Sequence, residues 1–174
     1  MFQLKFEVAG DVQLNRAFSR FTEDVKDFSE PLQEMVDDFH KVIEPKQFSS
    51  EGSRGSHGWA RLSTDYGAWK AKNYPGRKIL VLTGLMQESL FGENPWAIEE
   101  VKPLEMTVGT KLPFALYHQQ GTTKMPARPV IDLTESDKTR WTKFVQAYVV
   151  KQANREFADL MPTVGAGQMH VKSI

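Results

Sequence analysis

The chain has 174 residues, enough for one domain with a real core and hardly enough for two. Lysine plus arginine equal aspartate plus glutamate at 22 each, so net charge gives no support to an electrostatic nucleic-acid binder, although a local basic patch stays open. Hydrophobic residues at 40% and charged residues at 25% suit a soluble globular protein, and the lack of cysteine removes disulfides, thiolate metal sites and cysteine nucleophiles.

MFQLKFEVAG alternates apolar Phe2, Leu4, Phe6 and Val8 with polar residues and predicts a half-buried strand closed by Gly10. It lacks the basic region and continuous apolar core of a signal peptide, and no later run approaches the roughly 20 apolar residues of a membrane span. A soluble chain made in the cytoplasm, with no membrane partner, is the expectation. From Asp11, a plausible N-cap, apolar residues recur in steps of four and three: Leu14, Phe18, Phe21, Val25, Phe28, Leu32, Met35, Phe39 and Val42. Pro31 cannot sit inside an unbroken helix, so a kink or break is expected there, with Ser29 capping the next helix. The stripe fits a core-facing amphipathic helix, with a coiled-coil seam as the alternative.

QFSSEGSRGSHG, residues 47–58, has no apolar period and predicts a flexible loop. A helix over 63–73 presents Tyr66 and Trp69 and ends at Pro75-Gly76. Thr83 can cap a short helix that packs Leu85 and Leu90 inward. Two strands come next, at 97–101 and 105–108, with Gly109-Thr110 as the turn out. A short helix over 114–120 carries Tyr117, expected to bury its ring beside Phe114, and Gly121 lets the chain leave in a left-handed conformation. Another strand is expected at 129–133. TESD at 134–137 is a capping-box variant ahead of a helix bearing Trp141, Phe144, Val145, Tyr148, Val149, Phe157 and Leu160, which Pro162 ends. The expected fold is α+β, a small mixed or antiparallel sheet packed against long N-terminal and C-terminal amphipathic helices. It forms a single domain over 1–162 with a flexible arm at 163–174.

Chemistry is sparse. Asp37, Asp38 and His40 lack the spacing of HExxH and read as a solvated helix face. His57 and His170 fall in the two loose segments without a second ligand. His118 is the one histidine in a well-patterned neighbourhood, and a hydrolase centred on it as general base, with Ser89 or a glutamate brought near by the fold, is one alternative. Lys124 and Arg128, with the basic residues near Arg54, give another: a nucleic-acid-binding module. No nucleophile elbow, phosphate-binding loop or dinucleotide turn occurs.

Four pieces of the second half, in order, are WARLSTDYGAWK (59–70), ILVLTGLMQESL (79–90), VGTKLPFALYHQQGT (108–122) and MPARPVIDLTESDK (125–138). With these the chain resembles the phage virion morphogenesis family, the Mu-like tail-completion proteins, over roughly 59–160. Val130-Ile131 departs from the aromatic-leucine pair more usual there, and the N-terminal strand and Gly/Ser loop are particular to this chain. The resemblance implies a non-catalytic virion protein, made in the host cytoplasm and placed in the tail or neck, that completes the tail and enables head-tail joining. Its implied partners are copies of itself in a ring, commonly sixfold in related neck proteins, together with adjacent neck, connector or tail-terminator proteins. Non-specific contact with DNA in the channel is also implied. No catalytic residue, cofactor or metal is expected. His118, Gln119, Gly121, Lys124, Pro126, Arg128 and Pro129 are the candidate interface, with both prolines stiffening the loop.

Overall fold

Residues 11–55 and 58–158 are described in this computed structural model. The expected strand at 2–8, His57, Leu160, Pro162, and the arm at 163–174 with His170 lie outside them. The long apolar stripe folds as successive helices. α1 (Asp11–Asp24) is followed by a break, and α2 (Ser29–Asp38) then runs without interruption through a π-helical stretch (Phe39–Ile43) into α3 (Glu44–Ser49). The break precedes Pro31, which sits buried in the first turn of α2, where its missing N–H costs no helical bond. Ser29 is not the cap; the Asp27 carboxylate accepts from the Ser29 N–H at 2.8 Å.

α7 (Glu135–Phe157) starts at the expected capping box: Thr134 Oγ1 accepts from the Asp137 N–H, and the Asp137 carboxylate accepts from the Thr134 N–H. α7 runs antiparallel to α1 and α2. Arg140 and Trp141 meet Asp38, Tyr148 packs near Phe28, and Phe157 packs against Phe18 and Phe21. The apolar stripe therefore finds its partner within the chain. Its inward set also shifts: after Phe39 the fully buried residue is Ile43 rather than Val42, and Glu44 and Gln47 go with it into the interior.

The sheet is a two-stranded antiparallel hairpin, β1 (Ala97–Lys102) and β2 (Glu105–Thr110), in register from Ala97↔Thr110 to Lys102↔Glu105. Gly109 and Thr110 stay in β2 instead of turning out. The two-residue turn Pro103-Leu104 is fastened at its base, because the Pro103 carbonyl accepts from the Phe28 N–H at 2.7 Å. The fold is thus α+β, an antiparallel pair packed against the long helices.

The core lies between α3, β2, α5 (Leu85–Leu90) and α6 (Pro113–Gln120). Phe39, Ile43, Phe48, Trp59, Leu90 and Val130 fill it. Phe48 is 1% exposed and meets the rings of Trp59 and Phe91 edge-on; burying a side chain of that size contributes about 2–3 kcal/mol. The loop expected from Gln47 therefore begins only at Ser50, since 47–49 form the last turn of α3. Gly52 adopts φ +80° with the Trp59 ring against it, leaving no room for a Cβ. In α5 the inward residues are Met86, Ser89 and Leu90, spaced three and four apart; Leu85 falls off that face and is 37% exposed, against expectation.

Candidate interface site

α6 begins at Pro113, whose fixed φ suits a first helical turn. It ends at Gly121, which takes φ +74° and donates its N–H to the Tyr117 carbonyl. A Cβ there would lie 2.7 Å from the Ala127 nitrogen, so a glycine is required for the chain to turn back. Thr122 and Met125 close a small antiparallel bridge with Lys124 in its turn, and the Arg128 N–H reaches the His118 carbonyl at 2.7 Å. The loop is thus folded against the helix it leaves.

Two side chains lock residues 128–131 in place. Gln119 Oε1 accepts from the Val130 and Ile131 N–H groups at 2.9 and 3.0 Å, and its Nε2 donates to the Ile131 carbonyl at 2.9 Å. These bonds replace the expected strand at 129–133, which does not form. Arg128, 5% exposed, donates from Nε to the Ala60 carbonyl and from Nη2 to the Arg61 carbonyl. The Pro129 carbonyl accepts from Gln47 Nε2 and Trp59 Nε1.

The seven expected interface residues therefore separate. Gln119, partly buried, and Arg128, buried, spend their polar groups on holding the loop, and Arg128 also lines the cavity beside His118. Lys124, Pro126 and Pro129 are exposed, Gly121 is partly buried, and His118 is half-buried. Tyr117 is 56% exposed rather than buried, and the ring packed on Phe114 is that of His118.

His118 forms part of the wall of a cavity of about 500 Å³ between α4 (Thr64–Asn73), α5, α6 and the 124–128 loop. Tyr66, Leu82, Met86, Phe114 and Met125 give it an apolar surface. Lys70, Lys124 and Arg128 also line it, and among the described residues no carboxylate does. Lys70 donates to the Lys78 carbonyl, and burial lowers its pKa. Burial, and then the Arg128 charge, push the His118 pKa down, and its buried Nδ1 has no hydrogen-bond partner among the described residues. Lys124 is exposed and forms no ion pair among the described residues. Ser89, the candidate nucleophile, is fully buried, bonded to the Met86 carbonyl and the Thr110 hydroxyl, and absent from the cavity lining.

A polar network that the sequence did not disclose ties α7 to the core. Arg140 makes a forked pair with Asp38 and also reaches Asp137, while Arg54 donates to Asp137 at 2.5 Å. Arg54 is thereby neutralised and mostly buried, which removes it from any basic patch. Burial pushes the Asp137 carboxyl up, but bonds from Thr134, Arg54 and Arg140 outweigh it and hold the pKa at about 2. The helix face expected to be solvated is only partly so: Asp37 pairs with Lys41 in solvent, whereas Asp38 and His40 are buried. His40 Nδ1 donates to the Leu90 carbonyl at 2.7 Å. Glu44 is fully buried with both oxygens unpartnered among the described residues, and burial raises its pKa despite the nearby Arg54 charge.

Among the described residues no cluster of three or more His, Asp or Glu is suited to a metal ion, and no helix is long and apolar enough to cross a membrane. Comparisons of the chain with protein-family models, curated proteins and solved structures give no match.

Proposed function

We propose that this chain is a structural subunit of a phage virion that completes the tail or neck and enables head-tail joining, working as a ring around the DNA channel. One observation carries the reading. The four segments through which the chain resembles tail-completion proteins converge on a single cavity: Tyr66 and Lys70 come from the first, Leu82 and Met86 from the second, Phe114 and His118 from the third, Met125 and Arg128 from the fourth. Segments separated along the chain thus build one surface feature, as a docking site requires. The neighbouring surface is rich in exposed rings and apolar side chains, with Tyr66 stacked on Trp69 and Phe114, Leu116 and Tyr117 displayed by α6. Such apolar display in a small subunit fits contact with other chains better than life as a lone monomer.

Its partners would be further copies of itself and an adjacent neck, connector or tail-terminator ring. Lys124 is the site residue free to touch DNA in the channel, and one loose cation suits a lumen through which DNA must slide. The hydrolase alternative has lost Ser89, which is buried outside the cavity lining, and the nucleic-acid-binding alternative has lost Arg54 and Arg128 to internal pairing. Immunogold electron microscopy of assembled particles tests the proposal. Label confined to the neck or tail is expected, and label elsewhere in the particle would end it.

A further inference from the structure

The cavity has an apolar interior and a cationic lining, and the same chain carries a knob of matching chemistry. Leu104 is 74% exposed, the most exposed large hydrophobic residue among those described. It stands at the β1–β2 turn between Pro103 and Glu105, where both the strand pairing and the Phe28–Pro103 bond hold it in place. Glu105 is exposed and forms no ion pair among the described residues, while Lys102 is paired with Glu100, so the tip carries an unbalanced carboxylate beside its leucine. The turn is thus an apolar side chain with an anionic neighbour on a stiff support. The cavity offers apolar walls, Lys124 exposed, Lys70 and Arg128 within, and no acid among the described residues.

Position decides how the two could meet. The cavity lies by the far end of the hairpin, where Thr110 bonds Ser89 and the chain passes through Leu112 into Phe114. The knob lies at the turn. Six residues of strand separate the two ends, roughly 17–20 Å at strand rise. A leucine held that far from its own cavity cannot enter it, but it can enter that of a second copy. Knob and cavity on different faces make a heterologous contact, the kind that repeats head to tail and closes into a ring when the rotation permits.

We propose that the β1–β2 turn of one copy inserts Leu104 into the α4–α5–α6 cavity of the next, with Glu105 set against Lys124 of the receiving copy. This rests on the ring reading and names the surfaces that would build the ring. The stiff turn limits the ordering cost of association, and the charge pair sets the direction of insertion.

The chain has no cysteine, so Lys102→Cys and Ser63→Cys, at two exposed positions beside the knob and at the cavity, provide a test that keeps Leu104 and Glu105 in place. With a short bismaleimide at about 1 mM protein, where a contact with Kd near 1 mM is substantially occupied, the double variant should give a ladder of joined chains. Each single variant should stop at dimers. In sedimentation equilibrium, Leu104→Asp should weaken self-association roughly 10- to 100-fold, the worth of one buried leucine. Glu105→Lys and Lys124→Glu should each weaken it by about 3- to 10-fold, and the double reversal should restore it to within about threefold. Far-UV circular dichroism checks that the variants fold. If the wild type associates and Leu104→Asp leaves the constant unchanged, the inference is overturned while a ring through other surfaces stands. If there is neither a ladder nor association at that concentration, the inference also falls, and the location of the label in the virion decides the ring reading separately.

Discussion

Replacing Gln119 with alanine tests whether the loop after α6 is held from inside. The side chain makes three hydrogen bonds, at 2.9, 3.0 and 2.9 Å, to the backbone of Val130 and Ile131. No ladder partner stands in for them, since 129–133 is not a strand. Each such bond contributes about 1 kcal/mol net, and leaving a buried donor unpaired costs about 1–3 kcal/mol. Val130 is fully buried, so its N–H has little access to water once Gln119 is gone. The expected loss for Gln119→Ala is about 3 kcal/mol, which in a chain of this size lowers the Tm by roughly 6–12 °C. Urea unfolding followed by tryptophan fluorescence measures it, and Trp59, bonded to the Pro129 carbonyl, reports on the segment directly. Gln119→Glu keeps the acceptor and loses the donor to Ile131, so it should lose about half as much. A Gln119→Ala variant within about 0.5 kcal/mol of wild type, the size of an ordinary surface change, would refute the argument that this side chain positions 130–131.

Gly121→Ala should cost about 2 kcal/mol or more, because φ +74° and the Ala127 backbone both oppose a Cβ; an unchanged urea midpoint would contradict this. Asp137 is ionised at a lower pH folded than unfolded, so its stabilisation is complete above its ordinary value of 3.8 and is lost as pH falls from there through about 2. At pH 7 Asp137→Asn should cost roughly 2 kcal/mol, and the deficit should shrink on acidification through that window. Glu44 behaves in the opposite sense: burial raises its folded pKa, so its penalty grows as pH rises above 4.5, where the unfolded side chain ionises. Glu44→Met, removing two unpartnered oxygens, should raise stability at pH 7 by about 1–3 kcal/mol, less near pH 4; a destabilised variant would mean those oxygens are satisfied after all. For His118, burial lowers the folded pKa, so the unfolded chain takes up a proton first and stability declines as pH falls below about 6.5. His118→Asn should flatten that part of the profile, as urea midpoints at two pH values on either side of it would record.

Much of the helical plan was legible because periodicity and chain breakers act locally. Pro31, the Thr134–Asp137 box and the glycine after α6 each leave a mark within a few residues. Phe48 was missed because the glycine and serine around it hide a single buried ring, and only Trp59 and Phe91, arriving from elsewhere in the chain, make that ring a core residue. Residues 129–133 read as a strand because β-branched Val130 and Ile131, with Leu133, form a short apolar run after Pro129. Their backbone partners turned out to be a side chain, a choice no period records. The site shows the same division. Its histidine, lysine and arginine stood out, but whether Arg128 faced solvent depended on the carbonyls of Ala60 and Arg61, far off in sequence. Arg54 and Asp137 likewise became partners only through folding.

In the π-helical stretch the N–H of Glu44 bonds the carbonyl of Phe39, five residues back instead of four. The turn holds a surplus residue, and everything downstream inherits the phase it sets. Closing 39–43 into a regular α-helix with every residue kept would rotate α3 by roughly 100° relative to α2. Phe48 and Gln47 would swing off the core and away from the Pro129 carbonyl, so a change more than seventy positions upstream would loosen the wall of the cavity. The bulge works as a vernier between the helix that meets α7 and the helix that supports the docking site.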